Sequence, residues 1–176
     1  MLTDTKKYVV AALFAFLIPT SATAESSSSE NAVPERLGFV EWLVLEGTGL
    51  RMKARLDTGA KTSSLHAVNV EPFMKGDEEW VSFQLPLADH QDEDDADGKD
   101  LEEVILEFTL PVERTVKIKR KGAPSQRRFV VVMDFCIAGT SHKTEFSLTD
   151  RGKFSYPALL GRRFMRDDNI LIDSAD

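Results

Sequence analysis

The chain has 176 residues, of which 42% are hydrophobic and 9% aromatic, so it can build one packed domain and is not a wholly disordered chain. Its 22 basic and 29 acidic residues give a formal net charge of −7. This balance argues against nucleic acid as a partner, because phosphate binding needs a basic face. Cys136 is the only cysteine, which excludes a disulfide within the chain.

The first 24 residues have the pattern of a signal peptide. Lys6 and Lys7 precede an unbroken apolar run at 9–18, which is about the length of a signal-peptide core and too short to span a bilayer. Small residues in an A-x-A pattern end at Ala24, where cleavage is expected. The pattern predicts export to the periplasm. The alternative is an uncleaved segment that anchors the same domain to the inner membrane.

Residues 25–36 are Ser-rich and polar, which predicts a disordered linker before a domain at 37–176. In that domain, short β-rich runs are separated by turn residues, and only 158–166 has a helical pattern. The pattern predicts an all-β fold, either a closed or nearly closed barrel or a sandwich. The predicted strands are 37–46, 50–56, 64–70, 80–87, 104–110, 115–119, 129–137 and 144–148.

Two segments between strands differ strongly in charge. Residues 89–100 form an acidic insertion, and a solvated loop is expected there. Aligned with an EF-hand calcium loop, the insertion would place Val104 at the closing glutamate position, with no flanking helices. Residues 117–128 are basic and predict a hairpin whose turn contains Gly122 and Pro124. Calcium binding by the acidic insertion is the weaker interpretation.

The first candidate functional motif is Asp57-Thr58-Gly59, in the segment "RLDTGAKTSSLHA". It follows the alternating strand at 50–56 and precedes small polar residues, so Asp57 lies at the tip of a loop between strands. Taken alone, the motif is equally typical of an ordinary tight turn.

A second motif, Leu159-Leu160-Gly161, lies far downstream in "YPALLGRRF", where it opens the predicted helix. A glycine there permits one backbone to approach another closely. In aspartic proteases, the loop that carries the catalytic Asp-Thr/Ser-Gly rests against such an apolar-apolar-glycine segment. Without the Asp-Thr-Gly motif, the segment would be typical of an ordinary core-facing helix.

Together, "LDTGAKTSSLHA" and "FSLTDRGKFSYPALLGRRF" resemble the bacterial retropepsin-like proteins often called ATP-dependent zinc proteases. The resemblance covers about 37–173. It implies a closed retropepsin-like acid-protease β-barrel with one short C-terminal helix. It also implies that Asp57 is the catalytic carboxylate and that Thr58 and Gly59 shape its loop.

The same resemblance implies that Leu159, Leu160 and Gly161 support the Asp57 loop. Arg162 follows the glycine at the position where retropepsins carry an arginine used in structural pairing. A structural role in support of the Asp57 loop is therefore expected for this arginine.

Aspartic proteolysis requires two carboxyl groups that share one proton across a water molecule. The chain has one Asp-Thr-Gly, which predicts a homodimer with one Asp57 from each copy. Asp134 and Asp173 lie in apolar segments and are alternatives for a second carboxylate within one chain, although a buried, paired aspartate is the commoner explanation. The hairpin at 117–128 is a candidate flap whose basic charge suits an acidic peptide, or else a solvated tip.

Zinc has little support in the sequence. There is no H-E-x-x-H motif and no cysteine pair, and the histidines His66, His90 and His142 are far apart. His66, nine residues after Asp57, is the candidate ligand if a zinc site exists, and folding could bring His142 near it. No phosphate-binding loop supports the use of ATP, so no cofactor is expected.

Two further expectations concern structural residues. Cys136 lies in the apolar run "FVVVMDFCIA", which predicts a buried, unreactive thiol. Asp150 and Arg151 predict a turn with a local salt bridge.

The sequence therefore predicts a periplasmic aspartic endopeptidase that uses a pair of Asp57 side chains on a peptide or protein substrate of the cell envelope. The alternatives are a peptide- or partner-binding domain on the same fold without catalysis, and a zinc-assisted peptidase.

Overall fold

The computed structural model describes residues 33–87, 105–120 and 122–175. The predicted signal peptide at 1–24, most of the linker, the acidic loop at 89–100 and His90 lie outside these residues. Within the described part of the chain, no helix is long and apolar enough to cross a membrane.

The described residues form twelve strands and one helix, so the fold is all-β apart from one helical segment. The helix, α1, is Arg162–Asp167. The strands in chain order are β1 (Glu35–Gly38), β2 (Val40–Leu45), β3 (Arg51–Asp57), β4 (Ser63–His66), β5 (Val68–Lys75), β6 (Glu78–Pro86), β7 (Ile105–Pro111), β8 (Arg114–Arg120), β9 (Ala123–Ile137), β10 (Thr140–Thr149), β11 (Ala158–Gly161) and β12 (Ile170–Asp173).

Six strands form a closed ring in the order β10-β4-β11-β3-β2-β9, because β9 also pairs with β10. The long strand β9 makes this closure. Its C-terminal half pairs with β10 on one side, and its last three residues pair with β2 on the other. The ring confirms the predicted all-β, barrel-like fold.

The core lies inside this ring and follows the strand alternation seen in the sequence. In β3, for example, Met52, Ala54 and Leu56 are buried, whereas Arg51 and Arg55 are exposed. The aromatic ring of Phe135 lies 5.7 Å from that of Phe146 and 5.4 Å from that of Phe164, measured between centroids. These contacts join β9, β10 and α1, so the helix packs directly against the barrel core.

Two smaller sheets accompany the barrel. Strands β5, β6 and β7 form an antiparallel sheet, and β1 pairs in parallel with β12. Strand β1 includes Glu35 and Arg36, which the sequence had assigned to the linker.

The first half of β9 extends beyond the ring and pairs with β8 as a two-stranded arm, here called the basic arm (114–130). The predicted hairpin is present, but Pro124 lies in β9 and not in the turn. Gly122 supplies the turn with φ +75°. Ile118 on this arm is 37% exposed.

Three of the predicted elements differ from the structure. The segment 37–46 contains the end of β1 and all of β2, and the segment 64–70 contains most of β4 and the start of β5. The structure also has a strand that was not predicted, β12. The first four residues of the predicted helix at 158–166 form β11. Leucine is a good helix former, but pairing with β3 and β4 on both sides overrides that local preference.

Candidate active site

The Asp57 loop is built on the last residue of β3. The Asp57 carboxylate oxygen Oδ1 accepts the backbone N–H of Gly59 at 2.8 Å and that of Ala60 at 3.3 Å. The Asp57 carbonyl also accepts the Ala60 N–H at 3.2 Å. These bonds close a tight turn, as expected when an aspartate caps its own backbone. Asp57 is half-buried and Thr58 is exposed, so the acid lies at the edge of the barrel, within reach of solvent.

Strand β11 lies between the two strands that the Asp57 loop connects. It pairs in parallel with β3, in a register that places Gly161 opposite Asp57 and Leu160 opposite Leu56. It also pairs antiparallel with β4, where Leu159 is opposite Ser64. The end of β11 therefore lies directly against the base of the loop.

A glycine is required at position 161 because a side chain would not fit there, and not because of the backbone angle. A Cβ atom at this position would lie 2.7 Å from the carbonyl carbon and oxygen of Thr62, closer than side-chain carbons approach backbone. The Gly161 N–H donates to the Ser63 Oγ at 3.1 Å. The close approach that the sequence motif suggested is therefore present, and its partner is the last part of the Asp57 loop.

The start of α1 bonds to the carbonyl groups of the same loop. The Arg162 N–H donates to the Ala60 carbonyl at 2.9 Å, and the Arg162 Nη1 donates to the Gly59 carbonyl at 3.2 Å. The Arg163 N–H donates to the Lys61 carbonyl at 3.3 Å. The structure thus brings the predicted site residues together, namely Asp57, Thr58, Gly59, Leu159, Leu160, Gly161 and Arg162.

His66 lies in the core and is fully buried. Its ring nitrogen Nδ1 accepts the Arg151 N–H at 2.8 Å, and its own backbone N–H donates to the Pro157 carbonyl at 2.7 Å. Among residues 33–87, 105–120 and 122–175, no group of three histidine, cysteine, aspartate or glutamate side chains is arranged to hold a metal ion. The described residues therefore give no support for a zinc site at His66.

Arg151 is a buried residue whose position the sequence did not predict. The Asp150 Oδ1 accepts the Gly152 N–H at 2.9 Å, which confirms the expected turn. The Arg151 side chain is directed inward, however, and the residue is 6% exposed. Burial lowers the pKa of Arg151, and the positive charge of Arg128 lowers it further. No sequence pattern distinguishes a buried arginine beside a turn glycine from an exposed one.

His142 is also buried, and it joins the two ends of the domain. Its Nδ1 lies 2.6 Å from the Asp168 Oδ2, and its Nε2 lies 3.6 Å from the Glu35 Oε2. The ring packs edge-on against Phe164 at 5.2 Å between centroids. These contacts link β10, β1 and the end of α1, which gives His142 a structural role.

Two expectations about β9 are corrected by its alternation. Asp134 was expected to be buried, but its side chain is 46% exposed and lies 3.4 Å from the Lys143 Nζ. Cys136 was expected to be buried and is half-buried. Both residues are directed away from the core because Met133, Phe135 and Ile137 occupy the inward positions. Asp173, the other alternative acid, is half-buried, and its Oδ1 accepts the Ala175 N–H at 3.0 Å.

The basic arm lines an open cavity of about 390 Å³ together with β5 and the end of β10. Arg127 and Arg128 contribute two positive charges to this cavity, and Asp150 contributes one negative charge. The Arg127 Nη2 donates to the Glu79 Oε1 at 3.1 Å, which ties the arm to β6. No observation places the arm over Asp57, so its role as a flap stays a prediction.

Comparison with known proteins places this fold and loop in a family. Residues 36–176 match the RimB-like family, described as the retropepsin-like aspartic endopeptidase RimB. The chain belongs to this family. The retropepsin-like resemblance expected from the two motifs is therefore correct at the level of the family and its fold.

Two relatives of the chain are not called zinc proteases, which is the name that the resemblance predicts. A protein of Shewanella pealeana, 33% identical over 142 residues, is called a probable alpha-L-glutamate ligase. A Parasynechococcus marenigrum protein of the same name is 33% identical over 139 residues. The matches cover 80% and 78% of this chain but only 28% and 27% of the relatives. This chain therefore spans less than a third of their length.

A solved structure supports the same fold. The crystal structure of a Legionella pneumophila protein of unknown function is similar to this chain with a TM-score of 0.64 and 30% sequence identity. The similarity covers 81% of this chain and 95% of that protein.

Proposed function

We propose that this chain is an aspartic endopeptidase in which Asp57 is the catalytic carboxylate. The observation that carries the proposal is the position of Gly161, which lies opposite Asp57 and in close contact with Thr62. This contact and the bonds from Arg162 fix the backbone of the loop, while the acid stays at its solvent-facing edge. A fixed loop with an accessible carboxyl group is what water activation requires.

The proposed reaction uses two Asp57 side chains, one from each copy of a homodimer. One carboxylate accepts a proton from a water molecule, and the water oxygen attacks the peptide carbonyl carbon. The other, protonated carboxyl group donates its proton to the carbonyl oxygen. When the tetrahedral intermediate breaks down, the carboxyl group that took the proton from water donates it to the amine nitrogen as the C–N bond breaks. The other carboxylate accepts a hydroxyl proton from the intermediate, which restores the shared proton. Two like charges a few ångström apart cannot both ionise, which keeps one proton on the pair.

We further propose that the substrate is a peptide or protein of the cell envelope, reached after export through the segment at 1–24. The apolar run at 9–18 and the small residues before Ala24 support this location.

An acidic substrate is the class that the charges favour. Arg127 and Arg128 line the cavity beside the basic arm, and Lys117 and Lys119 are exposed on the same arm. The relatives named as probable alpha-L-glutamate ligases contain a region similar to this chain. A peptide that carries glutamate residues would match both observations.

Cleavage of a peptide library by the purified chain tests the proposal. The library should include glutamate-rich sequences, and the parent should be compared with Asp57→Asn over acid to mildly alkaline pH. Asparagine keeps the shape of the side chain but cannot share the proton, so we expect the cleavage rate to fall by at least about 1,000-fold. Asp134→Asn is the matched control, since Asp134 is an exposed aspartate on β9 and should leave the rate unchanged.

Three outcomes would contradict the proposal. Equal cleavage by the parent and Asp57→Asn would exclude the aspartic mechanism. Loss of cleavage in the presence of a metal chelator would favour the zinc-assisted alternative. Binding of peptides without cleavage under any condition would favour the binding-domain alternative.

A further inference from the structure

We propose that Arg151 is a positioning residue for the catalytic loop, acting through β11. This inference rests on the proposed function of Asp57. Arg151 is 6% exposed and lies in the segment that leads from β10 into β11. It has no direct contact with Asp57 among the bonds described above, so any effect on the acid passes through other residues.

The Arg151 side chain bonds both to strand β4 and to the residues that lead into β11. Its Nη1 donates to the Ser64 Oγ on β4 at 3.0 Å, and its Nε donates to the Tyr156 carbonyl at 3.1 Å. Tyr156 lies two residues before β11 begins. The Arg151 backbone N–H also donates to the His66 Nδ1 at 2.8 Å. Arg151 therefore fixes the entry of β11 relative to β4.

The C-terminal end of β11 contacts the Asp57 loop, so a shift of the strand also shifts the loop. Strand β11 has only four residues, and its last residue, Gly161, contacts the Thr62 backbone and donates to the Ser63 Oγ. A strand this short cannot absorb a shift at its start, because both of its edges are paired, to β3 and to β4. A displacement at Tyr156 would consequently move the backbone that holds the Asp57 loop.

The chemistry of the side chain explains why arginine occupies this position. The planar guanidinium group donates in two fixed directions at once, which the single ammonium group of lysine cannot reproduce. Removing its charge from water is costly, so a buried arginine is stabilised only where hydrogen-bond acceptors are placed for it. The lowered pKa of Arg151 agrees with this burial, and the nearby Arg128 adds to the shift.

The test compares Arg151→Lys with Arg166→Lys, measured in the full chain. Arg166 also donates from two nitrogens to one partner, Asp167, but it is exposed and lies away from the entry of β11. For Arg151→Lys we expect kcat for peptide cleavage to fall about 10- to 100-fold while KM changes little, since the loop is displaced but the basic arm keeps its charges. Arg166→Lys should leave both constants unchanged.

A second readout does not depend on activity. Residue-resolved amide hydrogen exchange should be about tenfold faster at Gly161 and Arg162 in Arg151→Lys than in the parent, because these amides hold β11 and α1 against the loop. Ser64→Ala removes one acceptor of Arg151 and should give a smaller change in the same amides. Amides of the basic arm should exchange at the parental rate in both variants.

The outcomes separate this inference from the proposed function. If Arg151→Lys lowers the unfolding temperature but leaves both kcat and the exchange at Gly161 at parental values, Arg151 is merely structural and the inference is wrong. If the parent cleaves no peptide, the proposed function is wrong, and the exchange at Gly161 alone decides whether Arg151 positions the loop.

Discussion

The Asp57 loop connects two strands and the basic arm is a hairpin of two strands, and different interactions hold them in place. The loop is fixed by partners about a hundred residues away in sequence, such as Arg162 on Gly59 and Gly161 on Ser63. Among the described residues, the two strands of the arm pair with each other over most of their length, and the side chains of the arm are largely exposed. The difference indicates that the loop provides fixed geometry, whereas the arm provides charge.

Alanine at one glycine of each region tests this contrast most strongly. In Gly161→Ala the new Cβ would lie 2.7 Å from the Thr62 backbone, which cannot move aside as a side chain can. We expect a loss of about 3 kcal/mol or more in the free energy of unfolding, together with loss of cleavage. In Gly122→Ala the Cβ meets open space, and only the φ of +75° is unfavourable, so the expected loss is about 1 kcal/mol. Urea unfolding of both variants measures the difference.

Equal losses in these two variants would contradict the contrast, because the close approach at Gly161 would then have no cost beyond backbone strain. If Gly161→Ala keeps full cleavage, the contact between Gly161 and the Asp57 loop is not needed for catalysis, which would contradict the proposed function.

The two motifs could be located in the sequence because each is a short pattern with its own physical reason. Asp57 follows an alternating strand, and Gly161 follows two leucines, so both could be located without the fold. The strand alternation of β3 likewise predicted which of its side chains are buried.

Other features depended on contacts that no local pattern records. Residues 158–161 have helical propensity, and only their pairing with two strands makes them β11. The inward direction of Arg151 depends on acceptors at Ser64 and Tyr156, which the fold brings together. The outward direction of Asp134 follows from the register of β9, which a run of apolar residues does not fix.

Neutralising the basic arm should change substrate preference more than stability. In Arg127→Gln with Arg128→Gln, we expect kcat/KM for a glutamate-rich peptide to fall about 3- to 10-fold, because two charges leave the cavity that the arm lines. Cleavage of an uncharged peptide of the same length should change less than about twofold. Raising the salt concentration should weaken the parent's preference for the acidic peptide in the same direction.

A parent that cleaves both peptides equally well, at low salt, would show that the charge of the arm has no role in substrate choice. The arm would then be a solvated hairpin, which is the alternative that the sequence left open.

The smallest expected effect concerns an ion pair at the base of the arm. Arg114 on β8 donates from Nε to the Glu145 Oε1 on β10 at 3.1 Å, which joins the arm to the barrel. The hydrogen bonds from Arg114 lower the pKa of Glu145 below its ordinary value of 4.5, and the positive charges of Arg114 and Arg163 act in the same direction against burial. The Glu145 side chain is 34% exposed, so solvent screening limits the pair to about 0.5–1 kcal/mol.

The sign of the pH dependence follows from this lowered pKa. Above pH 4.5, Glu145 is ionised in both the folded and the unfolded chain, and the stabilisation is complete. As the pH falls, the unfolded chain binds the proton first, so the contribution decreases and is lost below the folded-state pKa. Urea unfolding of Glu145→Gln should therefore show a stability lower than that of the parent at neutral pH, with the two converging in acid. A difference that stays constant down to strong acid would mean that Glu145 contributes by packing and not through its charge.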